Sequence, residues 1–475
     1  MIRLTLLYLF VAALMVVAVR RWFVALCGLV LLTVVTQHPS MPTMMFGIHG
    51  VNPWNAAFLA VLVAWLATRH KDPGRAPASG PLVLFFGSYV LLVIVSGLVA
   101  ARDMGSFRGP ISETASAKDI LIDSILNPLK YVLLGVMFFD GAMTRTRLKL
   151  ALFTAVGSGL CYSILMFKSL KLAVFTMDFA SARRATDKLI GLFANDMAQL
   201  LAFSLWAALI LCLLLNRNWQ RIGWLALVVL AVPAFVALKS RAGFLAFAMI
   251  AVVLGALKWR RILLLIPVVL LIVLLFVPSV TERVLTGVDT QGRHQQWDEI
   301  SSGRTTYIWP NVIAQIGRSP LFGFGRYSIL RTDVYDAILS SGAGSVPQHP
   351  HNAYLEVLMD AGTMGLLICM ACVGGLLTAA VSLLRGGHDR LITAAGAVAI
   401  CAVITVLSAG VAGGSFYPTQ STVPYLCVWG LTLRLAAERR LRRATEHRAA
   451  MSGPAPLRPV SVAGSTARRE SAGHA

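Results

Sequence analysis

The chain has 475 residues, of which 57% are apolar and only 13% are charged, and its mean hydropathy is +0.74. Soluble domains carry a charged share of about one quarter, so this composition excludes an ordinary soluble protein and indicates an integral membrane protein. The net charge of +21 would suggest nucleic acid as a partner of a soluble protein. In a membrane protein it reflects loops rich in Lys and Arg, so no nucleic-acid partner is inferred.

Thirteen apolar runs follow one another along the chain, most of them close to the length that crosses a bilayer as a helix. They lie at 4–19, 22–36, 53–68, 81–100, 120–139, 148–166, 189–215, 222–238, 242–257, 262–279, 355–384, 391–410 and 422–436. The pattern predicts an all-α, polytopic membrane protein of about 12–13 transmembrane helices. Because only Arg20 and Arg21 separate the first two runs, these form either two spans or a tight, partly re-entrant hairpin.

Lys and Arg collect in alternate gaps between the runs, which predicts that those gaps face the cytoplasm. The gaps on the outward side are 37–52, 101–119, 167–188, 239–241, 280–352 and 411–421. The predicted organisation has four parts: an N-terminal transmembrane bundle over 1–279, one large outward loop over 280–352, C-terminal transmembrane helices over 353–436, and a basic, disordered cytoplasmic tail over 437–475.

The loop 280–352 is the longest segment outside the membrane, so we expect chemistry there. Within 304–318, Ile308, Val312, Ile313 and Ile316 fall on one helical face, which predicts an amphipathic helix lying on the membrane surface. The stretch 326–346, together with the outward segment 37–52, is expected to shape an acceptor site.

His351 is the candidate catalytic residue. It precedes Asn352, a good N-cap for the apolar helix that follows, so we expect its imidazole at a helix N-terminus. The positive end of the helix keeps the ring neutral, as a general base requires near neutral pH. The alternative is an ordinary polar loop residue. His349 adds a possible zinc ligand, but no Cys or third His lies nearby to complete a site, so no metal is predicted.

Basic residues on the outward side are the second signal, because arginine is a planar bidentate donor suited to phosphate. Arg183, Arg184 and Lys188 precede the run 189–215, and Arg241 lies in the very short turn before 242–257. The alternative for these cations is contact with lipid headgroups.

Charged residues inside predicted spans are costly, so they are expected to face the protein interior. Asp123 and Lys130 share one helical face and are interpreted as an internal pair. Asp196 would brace the outward arginines or, in a transporter, mark a proton path.

Four motifs in the same order carry a resemblance. The stretch 351–365 (HNAYLEVLMDAGTMG) resembles the signature that closes the large periplasmic loop of the O-antigen ligase and polysaccharide polymerase superfamily of bacterial envelopes. Residues 304–309 with 319–325 (SPLFGFG) resemble its R…W…PLxGxG element. The turn 240–243 (SRAG) resembles its SRG/SRA turn, and 191–195 (GLFAN) resembles its GxFxN element.

The resemblance implies a GT-C-like glycosyltransferase in the bacterial inner membrane, with its active site facing the periplasm. It implies an undecaprenyl-diphosphate-linked glycan as donor and a glycan, lipid A-core or protein as acceptor. It also implies contact with membrane lipids, and neither a metal nor another cofactor.

Carried over by position, His351 would activate the acceptor hydroxyl and Arg241 would bind the donor diphosphate. A second family arginine stands close before the Gly that matches Gly191. Here that place holds Lys188, with Arg183 and Arg184 further upstream, so three alternatives stay open.

Three loop residues are further candidates for substrate binding, namely Arg304, His349 and Asn352. The outward loops lack a clustered carboxylate motif for Mg²⁺, so cationic side chains would neutralise the departing diphosphate. One direct displacement would invert the anomeric centre. The alternatives are a polymerase of the same superfamily and, from another class, a transporter or flippase of lipid-linked sugars.

Overall fold

The computed structural model describes residues 2–45, 47–69, 81–170, 179–264, 266, 303–341, 346–386, 389–413 and 415–451. These residues are mainly helical, with one two-residue β-hairpin formed by β1 (Met44–Met45) and β2 (Ile48–His49). The helices are, in chain order, α1 (Ile2–Leu32), α2 (Pro53–Thr68), α3 (Pro81–Arg102), α4 (Pro110–Thr114), α5 (Ala117–Leu121), α6 (Asn127–Gly141), α7 (Arg145–Leu170), α8 (Phe179–Ile190), α9 (Ala194–Cys212), α10 (Asn218–Ala237), α11 (Arg241–Leu257), α12 (Trp309–Ile316), α13 (Ser328–Arg331), α14 (Val334–Ser340), α15 (Ala353–Arg385), α16 (Arg390–Ala412) and α17 (Val423–Met451).

Seven helical segments of the described chain are long and apolar enough to cross a membrane, and three shorter apolar helices accompany them. Twelve of the thirteen predicted runs lie in helices, while most of the run 262–279 lies outside the described residues. The prediction of an all-α polytopic membrane protein is confirmed. The four-part division of the chain stays a prediction.

The first helix is a hairpin. Arg21 has non-helical backbone angles (φ −143°, ψ 62°), and a Cβ placed on Gly28 would lie 2.3 Å from Cδ2 of Leu14. Two residues 14 positions apart in one straight helix would be about 21 Å apart at 1.5 Å per residue. The chain therefore doubles back near Arg21, as the hairpin alternative predicted.

The central helices are α9 and α16, whose inner faces are almost wholly covered by their neighbours. Small residues allow the backbones of neighbouring helices to approach closely. Membrane helices pack in this way because the hydrophobic effect does not drive their association within lipid. A Cβ on Gly135 of α6 would lie 2.7 Å from the carbonyl oxygen of Leu426 in α17. Helix contact at this distance requires glycine.

The gaps between helices gather at two opposite ends of the bundle. At one end, Arg145 binds Asp389 (Nη2 to Oδ1, 2.9 Å) and Lys258 donates to the carbonyl of Leu384 at 3.0 Å. These residues come from gaps predicted to be cytoplasmic. Segments from predicted outward gaps meet at the other end, where the candidate site lies.

The outward loop is anchored by a break in α15. Gly362 has left-handed, extended angles (φ 67°, ψ −169°), and a Cβ there would lie 2.2 Å from the backbone of Leu321. The amides of Phe324 and Gly325 donate to Met359 and Asp360 at 2.9 and 2.7 Å. The loop thus adds its own backbone hydrogen bonds to carbonyls beside the break, where the interrupted helix leaves such groups free.

Three expectations need correction. The apolar side of the helix around 304–316 does not lie free on a membrane surface, because Ile308 and Val312 are buried in a second core with 100–120 and 329–338, although Ile313 is exposed. Lys130 donates to Asn55 Oδ1 at 3.0 Å, and Asp123 accepts from Asn127 at 2.9 Å. Each charge is thus hydrogen-bonded to an amide group, and the predicted pair interacts electrostatically without a direct bond.

The third correction concerns the tail. Helix α17 continues to Met451, past the predicted boundary at 436, and residues 452–475 lie outside the described residues. Arg439 explains part of this extension, because its guanidinium donates to the Ser382 carbonyl at 2.5 Å and to the Gly386 carbonyl at 3.3 Å. These bonds fasten the start of the tail to the end of α15.

Candidate active site

A cavity of about 220 Å³ lies at the outward end of the bundle. Segments far apart in sequence form its walls: α8, the start of α9, the end of the outward loop, and the turn after α16. Its acidic, basic and histidine lining residues are Arg183, Asp196, Arg326, His349, His351 and Glu356. We call this space the histidine cavity.

His351 is held in place by its backbone. Its φ is +53°, a left-handed conformation that is uncommon for a residue with a side chain. The Oδ1 atom of Asn352 accepts from the amides of Tyr354 and Leu355 at 3.0 and 3.1 Å, so Asn352 is the predicted N-cap. Trp309 Nε1 donates to the carbonyl of Pro350 at 2.9 Å. The cap and this bond fix the chain on both sides of the imidazole.

The electrostatics of the cavity keep His351 neutral. Its pKa is lowered to about 3, chiefly because the ring is buried. Three basic groups nearby lower the pKa further, namely His349, Arg304 and Arg183. The rings of His349 and His351 meet edge to face, with centroids 4.5 Å apart. The sequence predicted a neutral ring from the helix terminus, and the structure adds burial and neighbouring charge as causes.

The three basic candidates on α8 face different surroundings. Arg183 lines the histidine cavity, whereas Lys188 lines a separate cavity beside α1 and α7. Arg184 is exposed, and its guanidinium donates to Ser181 Oγ at 3.2 Å. Arg183 is therefore the member of the three that shares a cavity with His351, and Arg184 and Lys188 are not brought there.

Arg241 lies at the edge of the site rather than in its wall. It is the first residue of α11, whose N-cap Ser240 accepts from the Gly243 amide at 3.2 Å. Ser240 Oγ also donates to Oδ1 of Asn195, which lines the histidine cavity, at 3.0 Å. The 240–243 turn and the 191–195 segment are thus joined directly.

The remaining candidates lie close by. Arg304 begins a π-helical turn (Arg304–Ile308), and burial, followed by the charge of Arg183, lowers its pKa. Its own charge acts on His351. Among the described residues, no three His, Cys, Asp or Glu side chains are grouped to hold a metal ion. The absence of a metal requirement stays a prediction.

Comparison with known families decides the assignment. Residues 225–370, about a third of the chain, match the model of a family described as O-antigen ligase. Residues 225–370 therefore form a domain of the O-antigen ligase family, which supports the predicted relation of the chain to the O-antigen ligase and polymerase superfamily. This confirms the resemblance and supports ligase- or polymerase-type glycan transfer in a multi-pass membrane protein. No curated protein sequence matches the chain.

The O-antigen ligase domain contains an ion cluster that the sequence reading missed. Arg326 Nη1 binds Glu356 Oε1 at 2.6 Å and Asp360 Oδ2 at 3.2 Å, and its guanidinium lies 3.8 Å from the centre of the Tyr417 ring. Burial opposes the charge of Arg326, but the carboxylates of Glu356 and Asp360 outweigh burial and raise its pKa. The cluster fastens the loop to α15 and forms part of the wall of the histidine cavity.

A signal for this cluster was present in the sequence. Glu356 and Asp360 are four positions apart on one face of a helix predicted to enter the membrane, where two acids require a cation. Arg326 belongs to the stretch 326–346 that is expected to shape an acceptor site, and its spacing from these two acids does not predict the contact.

Backbone strain in the O-antigen ligase domain collects around the same cavity. Lys239, Tyr327 and His351 are the non-glycine residues of the described chain with positive φ, at 48°, 59° and 53°. Each adjoins or belongs to an element of the candidate site: the 240–243 turn, Arg326 and the candidate catalytic histidine. Strained residues cluster where surrounding contacts hold a functional geometry.

Proposed function

We propose that this protein is an O-antigen ligase-like glycosyltransferase. It transfers a glycan from undecaprenyl diphosphate to an acceptor hydroxyl at the periplasmic face of the bacterial inner membrane. The observation that carries the proposal is the histidine cavity, which places a buried neutral imidazole and Arg183 in one space within a superfamily of glycan-transferring enzymes.

The donor diphosphate is assigned to the cationic side of the cavity. Displacing a diphosphate from an anomeric carbon requires that the growing negative charge be neutralised. Arg183 lines the cavity and Arg304 lies near enough for its charge to act on His351. Arg241 is assigned to the edge of the same phosphate site, since Ser240 beside it is bonded to the cavity wall. At about 220 Å³ the cavity suits the reacting groups, so the rest of the glycan lies outside it.

His351 is assigned as the general base. It takes the proton of the acceptor hydroxyl as the oxygen attacks the anomeric carbon, and the bond from that carbon to the diphosphate oxygen breaks. A pKa of about 3 makes the free imidazole a weak base. The bound diphosphate adds negative charge near the ring and raises the pKa, so His351 becomes a competent base when the donor is present. One displacement inverts the anomeric configuration.

The test uses purified full-length protein in lipid nanodiscs, with an undecaprenyl-diphosphate-linked glycan as donor, an acceptor, and a chelator throughout. Wild-type protein should form product of inverted configuration, as read by NMR of the new anomeric centre. His351→Ala should bind donor and form product at least about 100-fold more slowly. Transfer by His351→Ala near the wild-type rate, a retained configuration, or loss of activity with chelator would each contradict a part of the mechanism.

Ligase and polymerase activity are separated in the host. The gene is deleted, and the envelope and secreted glycans are run on a gel beside strains complemented with wild type or His351→Ala. A ligase defect leaves long polymer on its lipid carrier, whereas a polymerase defect leaves single repeat units. An unchanged glycan profile would contradict both, and would favour protein glycosylation or no glycan transfer at all.

A further inference from the structure

A second cavity, of about 760 Å³, lies at the same end of the bundle and shares no lining residue with the histidine cavity. Its walls come from the start of α1, the segment that follows α1, the end of α7 and the end of α8. Because Arg3 and His38 both line it, the hairpin at Arg21 is what creates it. We call this space the lipid cavity.

The polar wall of the lipid cavity carries positive charge and no negative charge. Arg3, Lys168 and Lys188 line it, and no Asp or Glu is among its lining residues in the described chain. Lys168 and Lys188 are exposed side chains. Burial, followed by the charges of Lys168 and Arg3, lowers the pKa of His38. Three cations with no acid among the described lining residues of the same wall favour a bound anion, which would lower their mutual repulsion.

His38 adds a neutral donor to this wall. Its Nδ1 accepts from the backbone amide of Ser40 at 3.1 Å, so the proton of the neutral ring is on Nε2. The Ser40 hydroxyl lies 2.8 Å from the same Nδ1. The Nε2–H group is a hydrogen-bond donor that a phosphate oxygen accepts from.

The other wall of the lipid cavity is apolar. Leu4, Leu6, Leu7, Leu165 and Leu189 line it. Leu6 is 60% exposed and Leu4 42% exposed, although both belong to a helix predicted to cross the membrane. A wall of exposed leucines beside a cluster of cations matches a molecule with an acyl chain and an anionic head.

We propose that the lipid cavity binds one anionic phospholipid, with its phosphate against Arg3, Lys168, Lys188 and His38 and its acyl chain along the leucine wall. The site differs from the histidine cavity in chemistry as well as place, since its described lining residues include no acid and only one histidine. The proposal does not depend on the proposed glycan transfer. Lipid binding here would fix the α1 hairpin against α7 and α8, the helix that also presents Arg183.

The experiment measures lipid binding by native mass spectrometry of the full-length protein, exchanged from detergent into phosphatidylglycerol or phosphatidylcholine. One phosphatidylglycerol should remain bound where phosphatidylcholine does not. Each basic residue near a charged surface contributes about a fivefold factor in affinity, so Lys168→Gln/Lys188→Gln should bind phosphatidylglycerol on the order of 25-fold more weakly. Lys168→Arg/Lys188→Arg should bind it as wild type does, and Arg184→Gln, on the same helix but outside the cavity, is the matched control.

Several outcomes would overturn the proposal. Equal retention of phosphatidylcholine would exclude recognition of the charge. An unchanged affinity in the double glutamine variant, or an equal loss in Arg184→Gln, would exclude the site. Displacement by millimolar inorganic phosphate would assign the cations to a free anion, and displacement by equimolar undecaprenyl phosphate would assign the cavity to a carrier lipid. Because both lysines are exposed, a folded double variant is expected, and its thermal unfolding in phosphatidylcholine should match that of wild type.

Discussion

The two cavities lie against the same helix, α8, and differ in the residues that surround their cations. Arg183 shares the histidine cavity with Asp196, Glu356 and two histidines, whereas Lys188 shares the lipid cavity with other cations and leucines. Five positions on one helix separate these residues. Acidic and basic groups around a buried imidazole can stabilise charge that develops during a reaction. Cations beside an apolar wall match a bound anionic lipid, whose charge does not change.

The comparison shows why a positive charge on the outward side is by itself a weak sign of catalysis. In sequence, Arg183, Arg184 and Lys188 are equivalent candidates for a phosphate contact. The structure separates them by what lies opposite each side chain. The following predictions test that separation, from the largest expected effect to the smallest.

Replacing His351 by Ala should lower the rate of glycan transfer by about 10²- to 10⁴-fold, the usual contribution of a general base. Donor binding should be retained, because the cationic side of the histidine cavity is unchanged. Single-turnover transfer and donor binding, measured on the same sample, check this. His447→Ala, which changes an exposed histidine on α17, should behave as wild type. Activity near the wild-type level in His351→Ala would refute the catalytic role.

Replacing Arg326 by Met should lower the free energy of unfolding by about 3–5 kcal/mol, because Glu356 and Asp360 would stay buried without their cation. Unfolding in detergent, followed by tryptophan fluorescence, measures the difference. Arg318→Met is the matched control: its partner Asp333 is exposed, so the loss should be at most about 1 kcal/mol. Equal effects in the two variants would show that the buried cluster does not fasten the loop.

Replacing Arg183 by Gln should lower transfer about 100-fold, the scale of one lost electrostatic donor in an active site. Arg183→Lys should recover only part of the activity, because a point charge does not reproduce a bidentate guanidinium. The kcat/KM for donor measures both. Arg184→Gln should stay within about twofold of wild type, and a comparable loss there would remove the distinction between the two arginines.

Lowering the pH from 7.5 to 5.5 should change kcat/KM by less than about twofold, since a histidine with a pKa of about 3 stays neutral throughout. An ordinary histidine of pKa about 6.5 would lose about tenfold over the same interval. The free energy of unfolding, unlike kcat/KM, should depend on pH: below about pH 6.5 the unfolded chain binds a proton at this ring and the folded chain does not, so stability falls as the pH falls toward 3. A tenfold fall in kcat/KM between pH 7.5 and 5.5 that is abolished only by His351→Ala would contradict a buried, neutral ring.

Replacing Lys188 by Gln should change transfer by less than about twofold in phosphatidylcholine nanodiscs, because the side chain faces the lipid cavity. The kcat/KM for donor, measured beside Arg183→Gln, checks it. A fall in kcat/KM as large as that of Arg183→Gln would show that Lys188 contributes to glycan transfer, and the two cavities would then not be functionally distinct.

Much of the fold could be predicted because it depends on local rules. Apolar runs predict helices, and the Arg20–Arg21 pair between two short runs indicated a possible hairpin. Asn352 is the predicted cap because its side chain needs only the two amides that follow it. The 351–365 motif led to the superfamily, which the family comparison confirms.

The rest depends on contacts between distant segments, which spacing does not specify. The choice of Arg183 over Lys188 as the neighbour of His351 depends on the rotation of α8 against α9, and no local pattern gives this angle. Arg326 meets Glu356 and Asp360 only because the loop hydrogen-bonds beside the break at Gly362. The sequence predicted the apolar face of the helix within 304–316, but it did not predict that this face packs against 329–338.

The break at Gly362 also determines what can be exchanged between related proteins. The amides of Thr363 and Met364 donate to the carbonyls of Pro320 and Leu321 at 2.8 and 3.3 Å, so loop and helix complete each other's backbone. In a chimera with the loop of a relative and the helix of this protein, the donor and the acceptor of each of these bonds would come from different parent sequences. A transplanted segment from 319 to 364 would carry both partners of these bonds, and His351 with them.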